Sequence, residues 1–177
     1  MTDIAKQIND LRFDLLRNAI YHTARSLFFD RWTRALNFVV IILGTSAVAQ
    51  LSQGIVDPKW LVSGAVFAAT IQLVGDFSVS ARTHAYLQRR CYELLAELEA
   101  VTSPDELKVA SIRAKLTTLY GEEPPPMRAL DAIAYNAACD SIGKSGERVK
   151  IGFWQSLLAQ WYPFNGAKFE DRLPRAA

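Results

Sequence analysis

The residues able to do acid–base or metal chemistry are few and unevenly placed. His22 and His84 are the only histidines, and Cys91 and Cys139 are the only cysteines. His22 lies 13 residues before Ala35 and His84 nine after Gly75, counting outward from the apolar middle of the chain. Helices leaving that middle side by side would bring the two rings to one level. Two readings stand for this stalk contact: a satisfied packing pair, or part of a metal site that would need further ligands. The two cysteines, in segments that read as helix, form no disulfide framework and fit a reducing compartment. There is no Gly-rich phosphate loop, no nucleophile elbow and no cysteine pair at zinc spacing. The side-chain inventory therefore indicates neither an enzyme nor a cofactor. A formal net charge of +2 is too small to mark a nucleic-acid binder by bulk electrostatics.

A second set of polar residues sits where few are tolerated. Of 38 charged residues, only Asp57 and Lys59 fall between Ala35 and Gly75. Within that stretch Ala65, Ala69 and Gln72, continued by Asp76, lie within roughly 60° of one another at 100° per residue. Gly64-x-x-x-Ala68 and Ala65-x-x-x-Ala69 are small-residue spacings that let helices approach closely. Asp76 is six residues inside Arg82, and a carboxylate there must face water or a partner rather than lipid. Asn37, Gly44, Thr45, Val48 and Ser52 share a face of the preceding segment. These faces either hold two helices together or, in an oligomer, line a water path with carboxylates near its mouth. One pair of helices cannot enclose a pore; several pairs could.

The elements that carry these faces follow from hydropathy. Ala35 to Val56 is 22 residues without a charge, reaching roughly 33 Å as a helix against a bilayer core of about 30 Å. Gly54, Asp57 and Pro58 break the run, with a loop expected near 57–59. Trp60 to Gly75 is uncharged, and with Asp76 admitted the segment extends to Ala81. A transmembrane α-hairpin over 35–81, with spans at 35–56 and 60–81, satisfies its backbone in lipid. The alternative is a soluble four-helix bundle with two buried central helices, but such helices keep a polar face, and Phe38 to Leu43 offers none. Trp32 and Trp60 are spaced as interfacial anchors. The first apolar run begins only at Ala35, unlike a cleavable signal peptide. Arg17, Arg25, Arg31 and Arg34 precede the first span, and Arg82, Arg89 and Arg90 follow the second, while the loop holds only Lys59. Positive flanks stay inside, so both termini are expected on the cytoplasmic side. The expected fold class is all-α, an integral membrane hairpin with cytoplasmic stalk helices and a small helical bundle.

Residues 1–34 form the expected first cytoplasmic helix, with Ile4, Ile8, Leu11 and Leu15 on one face. Residues 82–177 form the second cytoplasmic region, where Leu87, Cys91, Leu94, Leu98 and Val101 repeat that step. The pattern fits antiparallel packing within one chain or pairing between subunits. Ser103-Pro104-Asp105-Glu106 reads as a helix start, running to about Tyr120, with a Pro-rich linker at 122–126. Met127 to Ile142 reads as a further helix closed by Gly143. Ile151 to Tyr162 is apolar, aromatic and uncharged; it either lies in the membrane interface or docks on the bundle. Arg82, Arg89 and Arg90 could contact a phosphate or simply form solvated helix faces and positive flanks.

Tyr21-His22-x-x-Arg25, Phe28-Phe29 and Asn37-Phe38 lead into a span containing Gly44-Thr45-Ser46-Ala47. Asp76-Phe77-Ser78 is followed by Ala81-Arg82-x-His84-x-x-Leu87, and Ala129-Leu130-Asp131-Ala132-x-Ala134-x-Asn136 comes later. In order and spacing these residues, over about 10–165, resemble the SLATT domain. The resemblance implies a bacterial inner-membrane protein of two spans from conflict systems, found beside nucleotide-signalling or sensor partner proteins. It further implies an oligomeric, pore-forming effector acting on membrane lipid in anti-phage defence or abortive infection. No fused sensor domain is visible in the sequence. A membrane-anchored scaffold, or a sensor whose cytoplasmic helices bind a partner or nucleotide ligand, is the alternative.

Overall fold

The computed structural model describes residues 2–53, 58–100, 106–167 and 169. Of these, 83% are helical and none forms a strand. Six α-helices follow in chain order: α1 Thr2–Gln53, α2 Pro58–Gly75, α3 Phe77–Glu99, α4 Glu106–Glu122, α5 Arg128–Ser141 and α6 Phe153–Leu157. The turn at Gly54 and Asp57 and the helix start at Ser103, Pro104 and Asp105 lie outside the described residues.

The 52-residue α1 contains no proline and one glycine, Gly44, so nothing in its sequence interrupts the hydrogen-bond ladder. The chain divides into two units, Met1–Arg25 with His84–Ala177, and Ser26–Thr83. The boundaries expected at 34/35 and 81/82 thus fall inside α1 and α3. Hydropathy marks where the surroundings of a helix change, not where the helix ends.

The first unit is built on two clusters. Leu11, Leu15 and Ala19 of α1 meet Leu87, Cys91, Leu94 and Leu98 of α3, with Val109, Ile112, Leu116 and Leu119 of α4. The heptad-like faces therefore pack against each other within one chain, and α4 completes the bundle. Val101 is outside the described residues. Tyr21 of α1 meets Ala129, Leu130 and Ala134 of α5 and Ala159. Helix α5 stops as its closing glycine suggested: Gly143 N–H donates to Asp140 O at 3.2 Å and Lys144 N–H to Cys139 O at 2.8 Å, satisfying the last carbonyls.

The second unit contains the apolar part of α1, then α2 and the start of α3. Both apolar stretches are long enough to cross a membrane, and only 11% and 6% of them is buried within the protein. The core helix of a soluble protein is mostly buried, unlike these two stretches. Ser26 Oγ donates to Ala81 O at 3.1 Å, Trp32 stacks on Phe77 at 6.5 Å, and Gln72 reaches Asn37 at 3.1 Å. Numbers rise on one side as they fall on the other, so the two strands of helix run antiparallel in this unit.

The expected second span, 60–81, is not one unbroken helix. Asp76 takes a left-handed backbone, φ 43°, between α2 and α3, a conformation asparagine and aspartate adopt more readily than most residues. Its carbonyl accepts the Ser80 N–H at 2.9 Å and restarts the helix. The Phe77 ring folds back over Gly75, where a Cβ would come within 2.6 Å of Phe77 Cε2. That ring then sits 6.1 Å from Phe29 and next to Trp32. In the 12-residue segment 151–162, α6 holds five residues, followed by a turn that includes Ala159 and Trp161.

Candidate functional site

The packed stripe in the Ser26–Thr83 unit runs through Leu36 and Ala47 of α1 and Ala68 of α2, all nearly inaccessible. Gly64 sets its closeness: a Cβ there would stand 3.0 Å from Leu43 Cδ1. This close approach decides which of several neighbouring polar stripes meet. Gln72 Nε2 donates to Asn37 Oδ1 at 3.1 Å across the two helices. Around that bond lies a groove of about 370 Å³ lined by Asn37, Ala69, Gln72, Asp76 and Ser78 together with apolar neighbours. Four of the six residues singled out for this face are thus brought together. Ala65 is half-buried beside the groove and does not line it. Thr45 is exposed elsewhere on α1, where its Oγ1 donates to Ile41 O at 2.8 Å and Ile42 O at 3.1 Å. That bond satisfies the hydroxyl within its own helix. Val48 is exposed as well, and the Ser52 side chain is outside the described residues.

His22 and His84 meet in the other unit. Their Nδ1 atoms are 3.0 Å apart, and both side chains are buried. His22 Nε2 is 3.1 Å from Glu123 Oε1. A carboxylate only accepts, so His22 donates from Nε2 and accepts at Nδ1, and His84 donates from Nδ1. The hydrogen-bond network assigns these tautomers. The Tyr21 ring packs edge-on against His22 at 5.2 Å and His84 at 6.3 Å, and its hydroxyl accepts the Met127 N–H at 3.0 Å. Burial, then electrostatic repulsion across the pair with His22, then Arg25 hold the His84 pKa down at about 4. One proton fits between the two Nδ1 atoms and two do not. Among the described residues no group of three or more His, Cys, Asp or Glu could hold a metal ion. The two rings and the Glu123 carboxylate thus form one hydrogen-bonded row.

Compared with known proteins, the chain matches no family model, no curated sequence and no solved structure.

The arginines considered for a phosphate are occupied locally or spread along α3. Arg89 Nε is 3.5 Å from Glu93 Oε1, Arg90 pairs with the same carboxylate, and Arg82 is exposed. They do not converge on a cleft. Both cysteines are free and buried; burial, and then Glu123, push the Cys91 thiol up to about 12, which makes it inert.

Several connections had no signal in the spacing. Arg17 forms a bidentate pair with Asp131, its Nε 2.8 Å from Oδ1. Burial works to lower the Arg17 pKa, but the hydrogen bond and charge of Asp131 outweigh it. Arg25 donates to Gln160 O at 2.7 Å. Asn136 is bonded twice to the backbone of Val149, accepting its N–H at 2.8 Å and donating to its carbonyl at 2.9 Å. Each pair is separated in sequence by at least a loop, so no helical or strand period links its members. Asp131 and Asn136 nevertheless lie in the segment that carries part of the family resemblance.

Proposed function

We propose that the chain is an oligomeric membrane effector that permeabilises the bacterial inner membrane on activation, acting in anti-phage defence or abortive infection. The observation that carries this reading is the polar groove of Asn37, Gln72 and Asp76 on two apolar helical stretches of which little is buried within the protein. Lipid is a poor neighbour for a carboxylate and two amides. Such a groove is accommodated when copies of the hairpin face one another around water. The basic residues flanking both apolar stretches support cytoplasmic termini. The resemblance to the SLATT domain in the order and spacing of residues that include Asn37, Asp76 and His84 supports the same role. Rearrangement of the cytoplasmic helices is the step that opens the path, and the activating ligand or partner must prefer the open state energetically.

Dye leakage from liposomes holding the purified full chain, with dyes of graded size, tests the proposal. Leakage is expected for dyes below a size limit and is lost when both spans are replaced by an unrelated hairpin. Leakage that persists with the foreign hairpin overturns it.

A second reading, a sensor module anchored by the hairpin, draws on a cleft of about 620 Å³ in the helical unit. Phe13 and Tyr135, in edge contact at 5.2 Å, and the charged Asp14 and Lys144 line it. Its size and mixed lining suit a small polar ligand.

A further inference from the structure

From Ile151 to Ala167 the chain carries no charge. Within it, six large apolar side chains between Phe153 and Tyr162 stand exposed, Phe153 at 73% and Trp154 at 68%, with Leu157, Leu158, Trp161 and Tyr162. The backbone beneath them is ordered by its own hydrogen bonds: Gly152 N–H to Gln155 Oε1 at 2.8 Å, Leu158 N–H to Trp154 O at 3.0 Å, and Tyr162 N–H to Leu158 O at 2.9 Å. Its other side is fixed. Ala159 is buried against α1 and α5. Gln160 accepts from Arg25 through its carbonyl at 2.7 Å and its Oε1 at 3.1 Å. Arg128 N–H donates to Pro163 O at 3.1 Å. One face is thus held to α1 and α5 while aromatic and aliphatic groups project from the other. A patch of this kind marks a docking surface.

We infer that this face, residues 153–162, seats in the membrane–water interface of the same bilayer that α1 and α2 cross; the inference rests on that membrane reading. Tryptophan and tyrosine pair an apolar ring with a polar tip, which suits headgroup depth, while phenylalanine and leucine suit the acyl boundary. Lys144 and Lys150 precede the segment and are exposed, and cations near such a segment favour an anionic lipid surface. The Arg25 clasp lies ten residues before Ala35 in the same uninterrupted helix. Tethering to a helix that enters the bilayer raises the effective concentration of lipid at this face, without recruitment of a separate partner. Seating the face also makes the tail a lever: motion of α1 relative to the lipid pulls on α5 through Ala159 and Gln160.

Tryptophan quenching in vesicles tests this with the full chain. Trp32→Phe and Trp60→Phe leave only Trp154 and Trp161 as reporters. The protein is reconstituted in phosphatidylcholine and phosphatidylglycerol vesicles carrying nitroxide labels at a shallow or a deep acyl position, with acrylamide as the aqueous quencher. A second variant, with all four tryptophans changed to Phe and Phe67→Trp, reports the middle of α2. The expected result is that the shallow label quenches Trp154 and Trp161 at least twofold more than the deep one, with weak acrylamide quenching. The Phe67→Trp reporter is expected to respond most to the deep label. Strong acrylamide quenching without lipid quenching of Trp154 and Trp161 overturns the inference and leaves the face in water. Protection from both quenchers also overturns it, in favour of a second copy of the chain. If Phe67→Trp responds to neither label, the membrane reading itself fails, whatever the tail does.

Discussion

The Nδ1 atoms of His22 and His84 stand 3.0 Å apart in a place almost sealed from solvent, with Glu123 closing the row on His22 Nε2. Tyr21 and Arg25 from α1 complete the surroundings of His84. The site holds α1, α3 and the end of α4 together through hydrogen bonds that admit one proton between the rings.

That geometry has a pH consequence. The His84 pKa is held at about 4, below its ordinary value of 6.5. The unfolded chain therefore binds a proton that the folded one refuses, and stability falls as pH drops from about 6.5 to 4. The full effect is up to about 3 kcal/mol, already complete below the folded pKa and absent above neutrality. Thermal unfolding in detergent at stepped pH is expected to show a constant midpoint above pH 7 and a decline through this window. His84→Gln, whose amide can still donate to His22, is expected to flatten the decline.

Asn136 stitches the segment after α5 to that helix. Asn136→Ala leaves the Val149 N–H and carbonyl without their partner, at a cost of about 1–3 kcal/mol. Hydrogen exchange is expected to speed at least tenfold at the Val149 amide, while amides in the α1, α3 and α4 bundle keep their protection. Unchanged exchange at Val149 would mean the two bonds do not hold the segment.

The amide pair Gln72 and Asn37 is a contact between helices whose neighbours are apolar. Asn37→Leu strands the Gln72 amide and is expected to destabilise the protein by about 0.5–1.5 kcal/mol. The double variant Asn37→Leu, Gln72→Leu is expected to recover much of that loss, because both polar groups are then gone. Unfolding midpoints of the four proteins in one detergent give the coupling directly.

Much of this was legible where a local rule acts. The all-helical character and the two apolar helices followed from long uncharged runs without proline. The contact of His22 with His84, at 3.0 Å between their Nδ1 atoms, is what counting outward along helices on either side of the apolar middle suggested. The break at Asp76 was hidden because an apolar run carries no record of backbone handedness; Phe77 seeking Phe29 and Trp32 sets it. Thr45 shares a helical-wheel face with Asn37 yet does not line the Asn37–Gln72 groove. A helical wheel yields several adjacent stripes, and the close approach at Gly64 selects the one through Leu36 and Ala47. Arg17 with Asp131 and Asn136 with Val149 depend on tertiary placement alone, which no period encodes.

The central claim is that the Gln72 and Asp76 groove lines a water path between copies of the chain. Conductance across planar bilayers, with purified wild-type, Asp76→Asn and Gln72→Leu proteins at equal insertion, tests it most directly. The account predicts stepwise currents that favour cations, reduced in cation preference by Asp76→Asn and in unit conductance by Gln72→Leu. Stepwise currents that neither substitution alters would contradict it.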